Sequence, residues 1–122
     1  MHIKSLVAAA ALSLLAGAAF AAPAGLNIPA GGVMVDGKGM TVYVFDNDTA
    51  GSSTCYDDCA VSWPPMLAKD GAKAEGDFTL TPRQDGAAQW AYKSMPLYYW
   101  AGDAEPGDMT GDNVGGVWHV VK

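Results

Sequence analysis

Two cysteines, Cys55 and Cys59, an acidic stretch from Asp103 to Asp112, and a histidine, His119, are the residues best equipped for chemistry in this chain. The stretch Asp103-Ala-Glu105-Pro-Gly-Asp108-Met-Thr-Gly-Asp112 places four carboxylates within ten positions and puts glycines at the bends. That composition suits a hard divalent cation such as Ca2+. The spacing does not follow the calcium-loop order of acids at positions 1, 3 and 5, glycine at 6 and glutamate at 12. Aspartates in glycine-rich turns more often cap their own backbone. Turn capping by Asp103, Asp108 and Asp112 is therefore the expectation, with cation binding as the alternative.

Soft-metal chemistry has its own candidates. Met34, Met40, Met66, Met95 and Met109, with His119 and the Cys-x-x-x-Cys pair, supply thioether, imidazole and thiol, which are copper ligands. The methionines are scattered, however, and adaptable Met side chains commonly fill cores. Redox work by the cysteines is disfavoured by the intervening Tyr56-Asp57-Asp58, because nearby carboxylates oppose thiolate formation. No G-x-S-x-G nucleophile motif and no phosphate-cradling glycine loop occurs. An enzyme is thus the least supported class.

The elements that position these residues begin after a targeting segment. Met1-His2-Ile3-Lys4 is a basic start, Leu6 to Phe20 is an apolar run of 15 residues, and Ala19-Phe20-Ala21 offers a signal-peptidase site. The run falls short of the roughly 20 residues a bilayer span requires. Residues 1–21 are expected to be a cleaved signal peptide, leaving 101 residues from Ala22 to Lys122. No cysteine near the cleavage site offers a place for a lipid, so a periplasmic or secreted location without membrane insertion is expected. In an oxidising compartment the close pair Cys55 and Cys59 is most simply a disulfide.

That mature part has the size of one domain. It carries six Lys and Arg against thirteen Asp and Glu. The resulting charge near −7 argues against nucleic acid and anionic membranes as partners.

Residues 22–32, rich in Pro, Gly and Ala, read as a surface leader. Val33-Met34-Val35 and Met40 to Phe45, separated by Asp36-Gly37, read as a hairpin. Phe78 to Thr81, Gln89 to Tyr92, Pro96 to Trp100 and Gly115 to Val121 read as further strands, with Lys93-Ser94 as a turn. Helix is expected only as one turn near Tyr56 to Ser62, since Pro64-Pro65 forbids continuation.

At an offset of 55, Met40 falls on Met95, Val42 on Leu97, Tyr43 on Tyr98, Phe45 on Trp100, Asp48 on Asp103 and Trp63 on Trp118. Six pairs in one register indicate an internal duplication. Tyr and the aromatic two positions later share one face of a strand, and the Asp three positions beyond sits at the turn. Tyr43, Phe45, Asp48, Trp63, Tyr98, Trp100, Asp103 and Trp118 are accordingly structural candidates. The expected fold is all-β, with two pseudo-symmetric repeats (about 33–66 and 88–121), three- to four-stranded, packed as a small sandwich or barrel.

The segments Gly39 to Asp48, Cys55 to Ala60, Trp63-Pro64-Pro65, Asp85-Gly86, Pro96-Leu97-Tyr98, Gly107 to Asp112 and Gly116 to His119 together resemble a bacterial family of predicted lipoproteins with a Y-x-[FWY]-x-x-D motif, a secreted repeat of unknown function. The resemblance spans nearly all of the mature chain. It implies tandem repeats, secretion and no established activity. One departure is the missing lipobox cysteine, which implies a free rather than anchored member. The expected function is a non-catalytic periplasmic binding or interaction module, monomeric and without cofactor. Metal handling, copper through Met and His119 or a hard cation through the acidic loop, is the first alternative and an uncharacterised enzyme the second.

Overall fold

The computed structural model describes residues 23–29 and 32–122. The expected signal peptide, 1–21, lies outside the described residues. Within them the chain forms β1 (Tyr43–Phe45), one helical turn α1 (Asp58–Ser62), β2 (Phe78–Pro82), β3 (Ala88–Tyr92), β4 (Met95–Pro96) and β5 (Trp118–Val120). The architecture is all-β, as expected. β1 and β5 make one antiparallel sheet, and β2, β3 and β4 make a second. None of the described helices is long and apolar enough to cross a membrane.

Local chemistry explains most boundaries. α1 stops where Trp63 leads into Pro64-Pro65, as proline cannot donate to a helix. β3 and β4 are joined by the two-residue turn Lys93-Ser94, both at positive φ (49° and 71°), the backbone sign whose twist matches that of paired strands. The expected hairpin of Val33–Val35 with Met40–Phe45 is reduced to one bridge, Val35 to Thr41. Beyond it β1 leaves that partner, because it is claimed by β5 and by Tyr98.

That claim organises the molecule. The Tyr43 N–H donates to the Tyr98 carbonyl at 2.8 Å and the Tyr98 N–H to the Tyr43 carbonyl at 2.9 Å. Tyr43 pairs with Val120 in β5, while Tyr98 bridges Pro65, which lies 55 positions before Val120. Asp46 N–H to Val117 O and Ala101 N–H to Ser62 O, both 2.8 Å, repeat the relation. A pseudo-twofold axis therefore runs between Tyr43 and Tyr98. Each repeat lends its Tyr strand to the Trp strand of the other. The two expected repeats are present, and they interlock.

Side-chain alternation along the Tyr strands builds two cores. Val42 and Leu97 join Leu26, Met34, Met66, Phe78, Trp90 and Val121 in one buried cluster. Tyr43 and Tyr98 join Cys55, Trp63 and Trp118 in the other, flanked by Phe45 and Trp100. Met34 and Met66, offered above as copper ligands, are core residues. The segment expected to lie over the surface needs a correction at Leu26, which is 2 % exposed. The mutual hydrogen bonds of Asn27 with Val35, 3.0 and 2.9 Å, lay that segment along the chain and turn Leu26 inward.

Cys55 and Cys59 form a disulfide with their Cα atoms 5.2 Å apart. Closing so short a loop contributes about 2 kcal/mol in the chain-entropy treatment. Reduction should lower the unfolding free energy by about that amount and leave the fold intact. Urea titrations with and without reductant check this, and identical midpoints would contradict it.

Candidate functional site

The repeat-motif residues form one aromatic and acidic cluster on the pseudo-axis. Trp63 and Trp118 stack across it with centroids 3.8 Å apart and planes within 2°. Phe45 stacks on Trp118 at 4.1 Å and Trp100 leans on Trp63 at 4.3 Å, extending a four-ring ladder. Tyr43 meets Trp63 edge-on at 5.3 Å and Tyr98 meets Trp118 edge-on at 5.1 Å. A Cβ at Gly111 would come within 2.8 Å of the Trp63 ring and 2.9 Å of Trp100, so only glycine fits under the ladder.

The motif's Tyr and Asp act between repeats. The Tyr43 hydroxyl donates to Asp103 Oδ2 and the Tyr98 hydroxyl to Asp48 Oδ2, each at 2.6 Å. The other oxygen of each aspartate holds its own turn. Asp48 Oδ1 accepts from the N–H and hydroxyl of Thr54, and Asp103 Oδ1 from the N–H and hydroxyl of Thr110. A third phenol, Tyr99, donates to Asp36 Oδ2 at 2.8 Å. Burial first, and then the adjacent carboxylate, raise the Tyr43, Tyr98 and Tyr99 hydroxyls well above the ordinary tyrosine range.

Arg83 belongs to this cluster and went unnoticed in the sequence. Only 7 % exposed, it donates to Gln89 Oε1 at 2.8 Å, the Cys55 carbonyl at 2.9 Å and Ser53 Oγ at 3.2 Å. Ser53 Oγ lies 2.5 Å from the Tyr98 hydroxyl. A chain of donors thus runs Arg83, Ser53, Tyr98, Asp48, joining a buried cation to a buried anion. Such a chain satisfies both charges without a direct ion pair.

The proposed metal residues do not converge. Asp108 Oδ2 accepts from the N–H groups of Ala104 and Glu105, and Asp112 Oδ1 from the N–H of Val120. With Asp103 committed to Thr110 and Tyr43, all three acids fasten their own loop or a neighbour. The loop docks on the first repeat through Gly107 N–H to Gly39 O and Thr41 Oγ1 to Asp108 O. His119 lies apart, its Nε2 2.8 Å from Asp46 Oδ2, with both side chains reaching solvent. Among the described residues no three His, Cys, Asp or Glu side chains are placed to hold a metal ion.

A concave feature lies elsewhere. A groove of about 810 Å3 opens between the Asp36–Met40 turn and the segment joining the repeats, Leu67 to Glu75. Its size falls within the range of small-molecule sites. Met66, Trp90 and Tyr99 line it on the core side, and Lys38, Lys69 and Lys73 line it from the two turns. Both walls are anchored. Asp36 Oδ1 accepts from Lys38 N–H and Met40 N–H, and Asp36 Oδ2 from Tyr99. On the other side Met66 and Ala68 hydrogen-bond to the Leu97 and Ala88 carbonyls, and Ala72 packs on the core. Leu67, 52 % exposed, forms an apolar rim. Apart from Met66, offered above as a copper ligand, no groove residue is a site candidate from sequence. The available signal was three lysines beside Gly-containing turns, but nothing in their order places Lys38 opposite Lys69.

The search of curated proteins and that of solved structures found no match. A family described as a secreted repeat of unknown function matches residues 27–66 and again 79–122. The two matched segments each contain one Tyr strand, one motif Asp and two ladder rings, Phe45 with Trp63 and Trp100 with Trp118, the units that interlock about the axis. The chain belongs to this family of secreted repeats and carries two copies of the repeat.

Proposed function

We propose that this chain is an exported, non-catalytic binding module of the periplasm, with the groove between the Asp36–Met40 turn and the segment joining the repeats as the binding site. The observation that carries this proposal is the groove itself, a concavity with an apolar floor and edges that carry charges of both signs, built on anchored turns. The motif residues are occupied in holding the repeats together, so they serve as scaffold. Nitrogen–proton correlation spectra, recorded with a panel of neutral, cationic and anionic small aromatic and aliphatic compounds, test the site. Shifts should cluster at Lys38, Leu67 to Glu75 and the Trp90 indole. A panel that leaves all of these unmoved would sink the proposal.

Metal handling is separated from this by thermal melts. Because the acids are committed within their loops and the cysteines are joined, Ca2+, Cu2+ and Cu+ are expected to leave the melting temperature unchanged. Binding at 100 times the dissociation constant would add about 2.7 kcal/mol and raise it by several degrees. Such a rise with any of the three ions would favour the metal alternative.

A further inference from the structure

We infer that the groove takes an organic monoanion, its acidic head held by Lys38, Lys69 and Lys73 and its apolar body against Met66, Trp90 and Tyr99. This rests on the groove being the binding site and names the class of ligand. The first argument is charge placement. From Ala22 onward the chain holds only six Lys and Arg against thirteen acids, and three of those six cations border this one groove. Asp36, Asp70 and Glu75 line the groove too, so its formal charge is balanced where the chain from Ala22 onward carries about −7, and this is where an anion is tolerated.

The second argument is availability. The one ion pair among the described residues is His119 with Asp46, so no carboxylate lies within 4 Å of the three lysines. Asp36 already accepts three hydrogen bonds, two from its own turn and one from Tyr99. Lys69 and Lys73 bracket a turn closed by Ala72 N–H to Lys69 O at 3.0 Å, with Gly71 at φ +83°. Lys38 stands on the facing turn, which Gly39 N–H to Asp36 O closes at 3.0 Å.

The third argument sets the charge and shape of the ligand. Asp70 and Glu75 also line the groove and would repel a polyanion, which favours a single negative charge. Lysines are flexible point charges rather than planar forks, suited to a head that is held electrostatically with the body supplying the fit. Over the buried Met66 and Trp90 floor, the half-buried Tyr99 and the 52 % exposed Leu67 present apolar surface that a purely inorganic anion would leave uncovered.

The test compares naphthoate, its uncharged analogue naphthamide, and inorganic phosphate by the same spectra on the intact chain. Naphthoate is expected to shift the amides of Lys38 and Lys69–Lys73 together with the Trp90 indole. Naphthamide and phosphate should each bind at least about tenfold more weakly, a factor worth about 1.4 kcal/mol. The triple substitution K38Q/K69Q/K73Q should bring naphthoate to the level of the amide while resonances away from the groove stay in place. Equal binding of acid and amide, or full affinity in the triple variant, would overturn the anion and leave the groove as a binding site. Phosphate matching naphthoate would overturn the apolar body. If naphthoate and the whole compound panel leave the groove unmoved, the underlying binding proposal fails as well.

Discussion

Raising the pH above about 10 is expected to unfold the protein cooperatively, with the Tyr43, Tyr98 and Tyr99 phenols ionising only as the structure is lost. In the folded chain these hydroxyls are held protonated by burial and by Asp103, Asp48 and Asp36. In the unfolded chain they ionise at the ordinary tyrosine pKa, about 10. Above that pH the unfolded state binds fewer protons than the native state, so stability falls as pH rises. Below it the contribution of these phenols is fully present.

Tyr43 and Tyr98, both 0 % exposed, together give a slope of roughly 3 kcal/mol per pH unit. Tyr99, half-buried, adds less. Against a net stability on the order of 5–15 kcal/mol, unfolding should be complete within a few pH units. Circular dichroism and phenolate absorbance followed through the titration should change together. Full ionisation of all five tyrosines with the fold intact would contradict this.

Replacing Trp63 with alanine should cost about 3–5 kcal/mol, the largest loss expected from a single substitution here. Trp63 is 5 % exposed and touches three other rings, so its removal opens the ladder at its centre. Trp118→Ala should cost a similar amount, since the pseudo-axis gives it matching contacts with Trp63, Phe45 and Tyr98. Trp100→Ala should cost less, because that ring stands at the end of the ladder and is half-buried. Urea midpoints of the three variants rank them. A Trp100→Ala loss equal to that of Trp63→Ala would show that the ladder is not the organising core. Trp63→Phe, which keeps a stacking ring, gives a folded reference should Trp63→Ala not fold.

How much of this was legible depended on whether the signal was local. Tyr43 with Phe45 and Tyr98 with Trp100 show the two-residue alternation of a strand, and the 55-residue offset aligns Trp63 with Trp118 without ambiguity. Asp36-Gly37 and Lys93-Ser94 announce turns by residue type. The exchange of strands could not be read, because Tyr43–Asp48 within a repeat and Tyr43–Asp103 across repeats satisfy the same motif. Only the pairing of β1 with β5 decides between them. Leu26 is one apolar residue in a Pro-, Gly- and Ala-rich segment, and its burial follows from the Asn27–Val35 bridge, which has no local signature. Arg83 is a lone cation, and two of its three acceptors, Ser53 and Cys55, come from a distant part of the chain. The groove was hidden for the same reason, since its lysines lie on two turns that the core brings together.

The central claim is that the repeat motif works between the repeats, as the lock of the scaffold. Double-mutant cycles on urea stability test it most directly. Tyr98→Phe combined with Asp48→Asn, and Tyr43→Phe combined with Asp103→Asn, should show coupling of about 1–3 kcal/mol, since each pair shares a charge-assisted hydrogen bond. The pairs that belong to one motif copy, Tyr43 with Asp48 and Tyr98 with Asp103, should be additive within about 0.5 kcal/mol. Coupling confined to the pairs within a copy would contradict the interlocked arrangement.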